Sequence, residues 1–272
     1  MDFVCPKCGG ALASFGNSKK CALGHSFDRA KEGYYNLLLG VGRGTHGDNA
    51  EMVKARREFL ALGHYEPLAQ CVAELVLSYT GKGECVLDCG SGEGYYTDII
   101  ESALYSRDGE SRVYGFDISK DAVRLAAKKN KRLTLAVASA YSMPVGDGTV
   151  DTALNIFSPL AKDELLRVIR HGGRFIMVYP AENHLFELKK RIYDNPYKNT
   201  PECDELSGFK LLLHKRLSYD MSLCSQDEVR SLFMMTPYAY RTPREARERV
   251  LSLDGVRCEA DFYINVYERN QV

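Results

Sequence analysis

The chain has no tryptophan, so any ring it offers to a ligand is a tyrosine or a phenylalanine. It has no net charge. Its 36 Lys and Arg balance 36 Asp and Glu, so overall charge does not argue for a nucleic-acid partner. Residues 1–60 hold nine Lys and Arg against six Asp and Glu, an excess small enough to be an ordinary solvated surface. No apolar run approaches the ~20 residues that a membrane helix needs. There is no secretory leader pattern, no internal repeat and no low-complexity tract. Nine cysteines, an odd number without such a leader, argue for a reducing compartment. The expectation is therefore a soluble, cytoplasmic protein. At 272 residues it has room for one domain of ordinary size and a small module.

What is present starts at Cys5, Cys8, Cys21 and His25, spaced C-x2-C-x12-C-x3-H. Zn²⁺ prefers four tetrahedral thiolate or imidazole ligands, and a C-x2-C turn brings two thiolates onto one metal. Four protein ligands leave no position for water, so the metal is expected to be structural. Gly9, Gly10 and Gly24 let the backbone turn tightly around it. The competing reading is a set of buried thiols. The six remaining cysteines, Cys71, Cys85, Cys89, Cys203, Cys224 and Cys258, show no paired spacing and read as small buried apolar residues.

The pattern divides the chain into a zinc-binding module at 1–35, a flexible linker at 36–50 with glycines at 40, 42, 44 and 47, and a second domain at 51–272. Asp48 or Asn49 is expected to cap a helix reaching Leu62, and a second helix runs from Pro67 to Tyr79. Short apolar runs at Cys85–Leu87, Val113–Ile118, Leu133–Ala138, Val150–Phe157 and Phe175–Tyr179 alternate with helical stretches near 94–105, 119–130 and 160–171. That alternation predicts an α/β fold with a mostly parallel sheet and a ligand at the carboxyl ends of its strands. Gly208–Tyr219 and Glu259–Tyr267 read as an antiparallel edge pair, with Ser225 and Glu228 forming a capping box between them.

After the first strand comes Asp88-x-Gly90-x-Gly92-x-Gly94. Glycines there let the backbone pass close to a ligand. The next strand ends at Asp117, where a carboxylate can accept hydrogen bonds from both hydroxyls of a ribose. The third ends at Ala138-Ser139, with Ser139 placed to flank an adenine. A cofactor-free domain with a glycine-rich turn is the alternative. The arrangement resembles the class I S-adenosylmethionine methyltransferases, whose Rossmann-like sheet binds that cofactor. The resemblance places Asp88 near the methionine end, and Gly90, Gly92, Glu93, Gly94 and Asp117 around the cofactor.

Read together, the two halves resemble the bacterial 23S rRNA (guanine-N1-)-methyltransferases. The resemblance rests on Cys5-x2-Cys8, Cys21-x3-His25-x-Phe27-Asp28 and Lys31-Glu32-Gly33-Tyr34. It continues through Gly47-Asp48, Ala55-Arg56-Arg57-x-Phe59-Leu60, Gly63-His64-Tyr65 and Gly90-x-Gly92-Glu93-Gly94-Tyr95-Tyr96-Thr97. It ends with His184-Leu185-x-Glu187-Leu188 and Met235-Thr236-Pro237. One departure is Tyr240, where the family pattern leads one to expect Trp. The resemblance implies methylation of guanine N1 in a 23S rRNA hairpin, with Tyr65 and His184 beside the cofactor. A buried helix-end tyrosine and a surface histidine are the plain alternatives for those two.

The loop Asn155-Ile156-Phe157-Ser158-Pro159 resembles, imperfectly, the Asn/Asp-Pro-Pro-aromatic loop of base methyltransferases, which makes Asn155 and Phe157 catalytic candidates; His184, after the fifth strand at the carboxyl edge, is a third. Core packing is the other reading of Phe157. A general base is expected among His184, Asp88 and Glu93, or His46 and His64 if loops close over the site. Arg43, Arg56 and Arg57 are placed to grip RNA, or else to pair with Asp48, Glu51 or Glu58. Family members pair into dimers, so a homodimer is also expected. Two rivals stand beside this reading. One is a small-molecule methyltransferase with a structural zinc module. The other is a non-catalytic zinc-ribbon adaptor.

Overall fold

The computed structural model describes residues 1–40, 47–201 and 205–271. Three short strands, β1 (Ala13–Phe15), β2 (Ser18–Lys20) and β3 (Ser26–Asp28), form a small antiparallel sheet in the order β1-β2-β3. β4 (Tyr35–Asn36) then enters the main sheet. Two helices follow, α1 (Ala50–Ala61) and α2 (Glu66–Tyr79). Asn49 caps α1 by accepting from the Met52 amide. The alternating part comprises β5 (Cys85–Cys89), α3 (Tyr95–Arg107), β6 (Arg112–Asp117), α4 (Lys120–Lys129), β7 (Thr134–Val137), β8 (Val150–Ile156), α5 (Lys162–Val168) and β9 (Ile169–Pro180). Then come α6 (Phe186–Ile192), β10 (Phe209–Leu223), α7 (Gln226–Met234), a 3-10 turn at Pro237–Tyr240, α8 (Arg244–Leu251) and β11 (Val256–Arg269).

The main sheet has eight strands in the order β10-β11-β9-β8-β5-β6-β7-β4. β10 and β11 run antiparallel at one edge, and β4 through β8 pair in parallel, as alternation of strand and helix requires. β6 and β8 lie on opposite sides of β5, so the chain order reverses there and opens a crevice at its carboxyl end.

Three expectations change. The helix foreseen across 160–171 stops at Val168, because Gly172 adopts a left-handed φ of 70° and Gly173 packs so tightly that a Cβ would meet Ile169 and the Asp151 carbonyl at 2.7–2.9 Å. Asn36 belongs to a strand, so the sheet begins inside the stretch read as a linker. Cys224 is exposed, and Cys85 is half-buried, unlike Cys71, Cys89 and Cys258. Gly42, Gly44, Arg43, His46 and Cys203 lie outside the described residues.

The zinc module is not a separate bead. Phe3, Cys5, Leu12, Cys21, Phe27 and Leu37 share one apolar core with Leu87, Tyr114, Ala136, Met143 and Val145 of the large sheet and its 138–149 connection. Phe3 bridges Val145, its ring sits edge-on to Tyr114, and the Tyr114 hydroxyl donates to the Met1 carbonyl at 2.7 Å. The connection from β7 to β8 contains no helix. The zinc module covers the face of the sheet that such a crossover helix would cover.

Candidate functional site

The crevice beside β5 opens into a cleft of about 1000 Å³. One side is the glycine turn. Gly90 (φ 91°), Gly92 (φ 55°) and Gly94 (φ 83°) are all left-handed, the region that favours glycine. A Cβ on Gly90 would strike the Ser158 side chain at 2.2 Å, and one on Gly94 would strike Ala126 at 2.8 Å. The turn therefore touches both the loop after β8 and helix α4 directly.

Asp88, at the end of β5, is 2% exposed. Its Oδ2 accepts from the Thr97 hydroxyl at 2.6 Å, while Oδ1 has no partner among the described residues. Burial raises its pKa to about 6; Thr97 opposes the rise and the charge of Asp117 adds to it. Ser91 Oγ and the Tyr96 hydroxyl are also buried without partners among the described residues, and both residues line the cleft. Unpaired buried polar atoms are costly in a dry protein, so two on the cleft wall and a third on Asp88, at the end of β5 just before the glycine turn, point to a polar ligand. Asp117 is fixed by two amides, Gly92 at 2.9 Å and Ser119 at 2.7 Å. Each of its oxygens keeps a second lone pair for a ligand. Burial pushes its pKa up, its two amide bonds and Arg56 push it down, and Asp48 pushes it up. Glu93 is buried and also shifted upward by burial, against the pull of Lys129, Arg57 and Arg56. Ser139 lines the cleft and accepts from the Tyr141 amide at 3.2 Å.

The opposite wall is aromatic. Tyr65 is 3% exposed, and its hydroxyl lies 3.2 Å from His184 Nε2. The Asp261 amide donates to His184 Nδ1 at 3.3 Å. Burial lowers the His184 pKa to about 3, partly opposed by Asp261. His184 is thus a neutral imidazole whose Nε2–H donates to Tyr65, which leaves it neither basic nor free to take a proton. Asn155 donates from Nδ2 to the Pro159 carbonyl at 3.1 Å, which turns its Oδ1 away from that contact. Phe157 holds a φ of 56°, and Leu185 a φ of 54°. They are the two left-handed non-glycine residues described, and both line this cleft. Strained backbone of this kind collects at functional sites. The Phe157 ring packs against Tyr65, Tyr96 and Phe262, yet 42% of the residue remains exposed. Tyr141 and Tyr240 are exposed on the rim.

The structure also sorts the remaining candidates. Arg56 pairs with Asp48, the alternative to an RNA grip, and its guanidinium lies 3.5 Å from the Met235 carbonyl. Arg57 is exposed and has no ion pair among the described residues. His64 faces Glu228 at 3.2 Å and stacks on Phe59, and it does not line the cleft. Tyr96, Asp48 and Tyr141 went unremarked as site residues, because only the folded chain brings them together.

In the small module, Cys5, Cys8, Cys21 and His25 place four ligand atoms within 4.8 Å of one another. Cys8 Sγ and Cys21 Sγ are 3.7 Å apart, and His25 Nδ1 is 3.4 and 3.3 Å from the sulfurs of Cys5 and Cys21. A tetrahedron with Zn–S bonds of 2.3 Å has edges of about 3.8 Å, so the donors fit that ion.

Comparison with known proteins agrees with both halves. Residues 3–39 match the zinc-ribbon family model described as "RlmA, N-terminal", and residues 80–234 match a methyltransferase domain model. A Streptomyces fradiae protein named 23S rRNA (guanine(748)-N(1))-methyltransferase is 32% identical, with 93% of this chain and 91% of that protein aligned. Relatives from Micromonospora griseorubida and Bacillus subtilis, whose names assign a guanine-N1 activity provisionally, are 35% and 32% identical over 92% and 97% of this chain, and 90% and 94% of their own. A methyltransferase-like crystal structure from Bacillus halodurans shares the fold at 15% identity and a TM-score of 0.50, covering 74% of this chain and 99% of its own. The chain belongs to the zinc-ribbon 23S rRNA (guanine-N1-)-methyltransferase family.

Proposed function

We propose that this protein methylates N1 of a guanine in a hairpin loop of 23S rRNA, in the cytoplasm. S-adenosylmethionine supplies the methyl group: the N1–C bond forms as the C–S bond breaks, and the N1 proton is released. The observation that carries the reading is one continuous cleft. It joins the glycine turn and Asp117 to the strained Asn155–Phe157 loop and an aromatic rim.

The residues divide the work. Asp117 accepts from the ribose hydroxyls, while Gly90, Gly92 and Gly94 let the backbone approach the methionine part. Asp88, with one orphaned oxygen, and Glu93 face the same part. Ser139 flanks the adenine, and Tyr65 and His184 close the cofactor from the far wall. A base drawn out of the loop stacks on Phe157 while Asn155 Oδ1 accepts from its Watson–Crick edge. Holding N1 in line with the methyl carbon supplies much of the rate. His184, neutral and committed to two hydrogen bonds, orients Tyr65 and does not take the proton.

Cys5, Cys8, Cys21 and His25 hold the structural zinc, and residues 1–35 with Arg57 contact the RNA backbone. The exposed edge strand β10, with Leu211 and Leu212 on its surface, suits a homodimer, which sedimentation would detect. No described helix is long and apolar enough to cross a membrane. Incubation with labelled S-adenosylmethionine tests the reading: label should pass to a 23S rRNA hairpin transcript and its binding should weaken steeply with salt. Transfer to small molecules alone would support the rival enzyme.

A further inference from the structure

Tyr96 is the residue of the cleft whose position is least explained by the cofactor or the fold. It sits in the first turn of α3, and its ring is edge-on to Phe157, with centroids 6.4 Å apart. Its hydroxyl is out of solvent and finds no partner among the described residues. Burial holds its pKa far above the ordinary value for a tyrosine, so it keeps its proton and can only donate or accept a hydrogen bond. The neighbouring Tyr65 hydroxyl accepts from His184. A buried, protonated, unpaired hydroxyl beside the base-stacking ring is a hydrogen-bond donor in search of an acceptor.

Guanine offers one. Its Watson–Crick edge carries two donors, N1–H and the N2 amino group, and one acceptor, O6. Asn155 can supply an acceptor toward N1 and N2, since its Nδ2 is committed to Pro159. O6 then needs a donor. When N1 loses its proton, the negative charge is shared between N1 and O6. A donor aimed at O6 is therefore worth more in the transition state than in the ground state.

Resting on the guanine-N1 reading above, we propose that the Tyr96 hydroxyl donates to guanine O6, stabilising the anion that accepts the methyl group. The N1 proton passes to water at the open mouth of the cleft. Adenine has no N1–H to offer the Asn155 oxygen, so its N1 lone pair would face that acceptor.

Tyr96→Phe tests this. The substitution removes a hydroxyl that has no partner among the described residues, so the melting temperature should hold or rise, which verifies the fold. At saturating S-adenosylmethionine, kcat on a 23S rRNA hairpin should fall about ten- to a hundredfold. Cofactor affinity by calorimetry should stay constant. The pH at which kcat levels off should move upward, because N1 ionises less readily without the donor. On a hairpin carrying 6-thioguanine at the target, where sulfur accepts poorly, the variant and the parent should differ much less. A loss of cofactor affinity with kcat intact would place the hydroxyl against the methionine part and overturn the proposal. An unchanged kcat would also overturn it, as would an equal loss on both hairpins. If the parent protein methylates no guanine N1, it is the functional reading that fails, and the Tyr96 comparison is not reached.

Discussion

The Tyr65 hydroxyl and His184 Nε2 stand 3.2 Å apart, and the Asp261 amide on the other ring nitrogen fixes which of the two donates. The buried imidazole stays neutral down to about pH 3, whereas an unfolded chain binds a proton near pH 6.5. Below about pH 6.5 the unfolded state therefore holds a proton that the folded state refuses. Stability should fall by up to about 1.4 kcal/mol per pH unit through that window. In His184→Gln this part of the acid loss should disappear, as read by denaturant titrations between pH 4 and 7.

Asp88 works in the opposite sense. Its folded pKa of about 6 exceeds the ordinary 3.8, so the folded protein loses stability as pH rises through that interval and stays penalised above it. Asp88→Asn should raise stability at pH 7.5 by about 1–3 kcal/mol while weakening cofactor binding. A chemical denaturation curve paired with calorimetry separates the two effects. A destabilised variant would mean that the carboxylate is held by partners other than Thr97.

Asp117→Ala deprives the Gly92 and Ser119 amides of their acceptor and, on the proposed reading, the ribose hydroxyls of theirs. Affinity for S-adenosylmethionine should drop roughly ten- to a hundredfold. Retained affinity in a calorimetric titration would remove Asp117 from the cofactor site.

The two neighbouring arginines should separate cleanly. Arg56→Ala breaks the pair with Asp48 and removes the positive charge that offsets Asp48 beside Asp117, so cofactor affinity should fall if Asp117 holds the ribose. Arg57→Ala breaks no ion pair among the described residues; it should change cofactor affinity little, through Glu93 alone, and reduce the salt slope of hairpin binding by about one.

Zinc removal should be felt beyond the small module. A separable module would loosen while the cofactor domain stayed folded, as residues 1–35 read from sequence suggest. The shared core of Phe3, Phe27 and Leu37 with Tyr114, Ala136 and Val145 predicts instead that chelation lowers the melting point of the whole protein. It should also weaken cofactor binding, since β6 and β7 lead into Asp117 and Ser139. A calorimetric scan with an untouched second transition would contradict this.

These contrasts show where sequence reasoning reaches. The parallel strands were legible because each is a short apolar run, and Asp88, Gly90, Gly92 and Asp117 because their spacing follows from one strand-turn-helix. The zinc ligands were legible for the same local reason. β1, β2 and β3 were not, since three-residue strands with exposed faces carry no alternation to read. Nor were the Asp261–His184 bond or the orphaned Tyr96 hydroxyl. Each depends on which distant segments meet, and only the folded chain decides that.

The most direct test of the account is mass-spectrometric mapping of modified guanines in 23S rRNA from cells with and without this gene. The account predicts one N1-methylguanine in a hairpin loop, present with the gene and lost without it. Identical maps, or a gene-dependent methyl group on another atom or base, would contradict it.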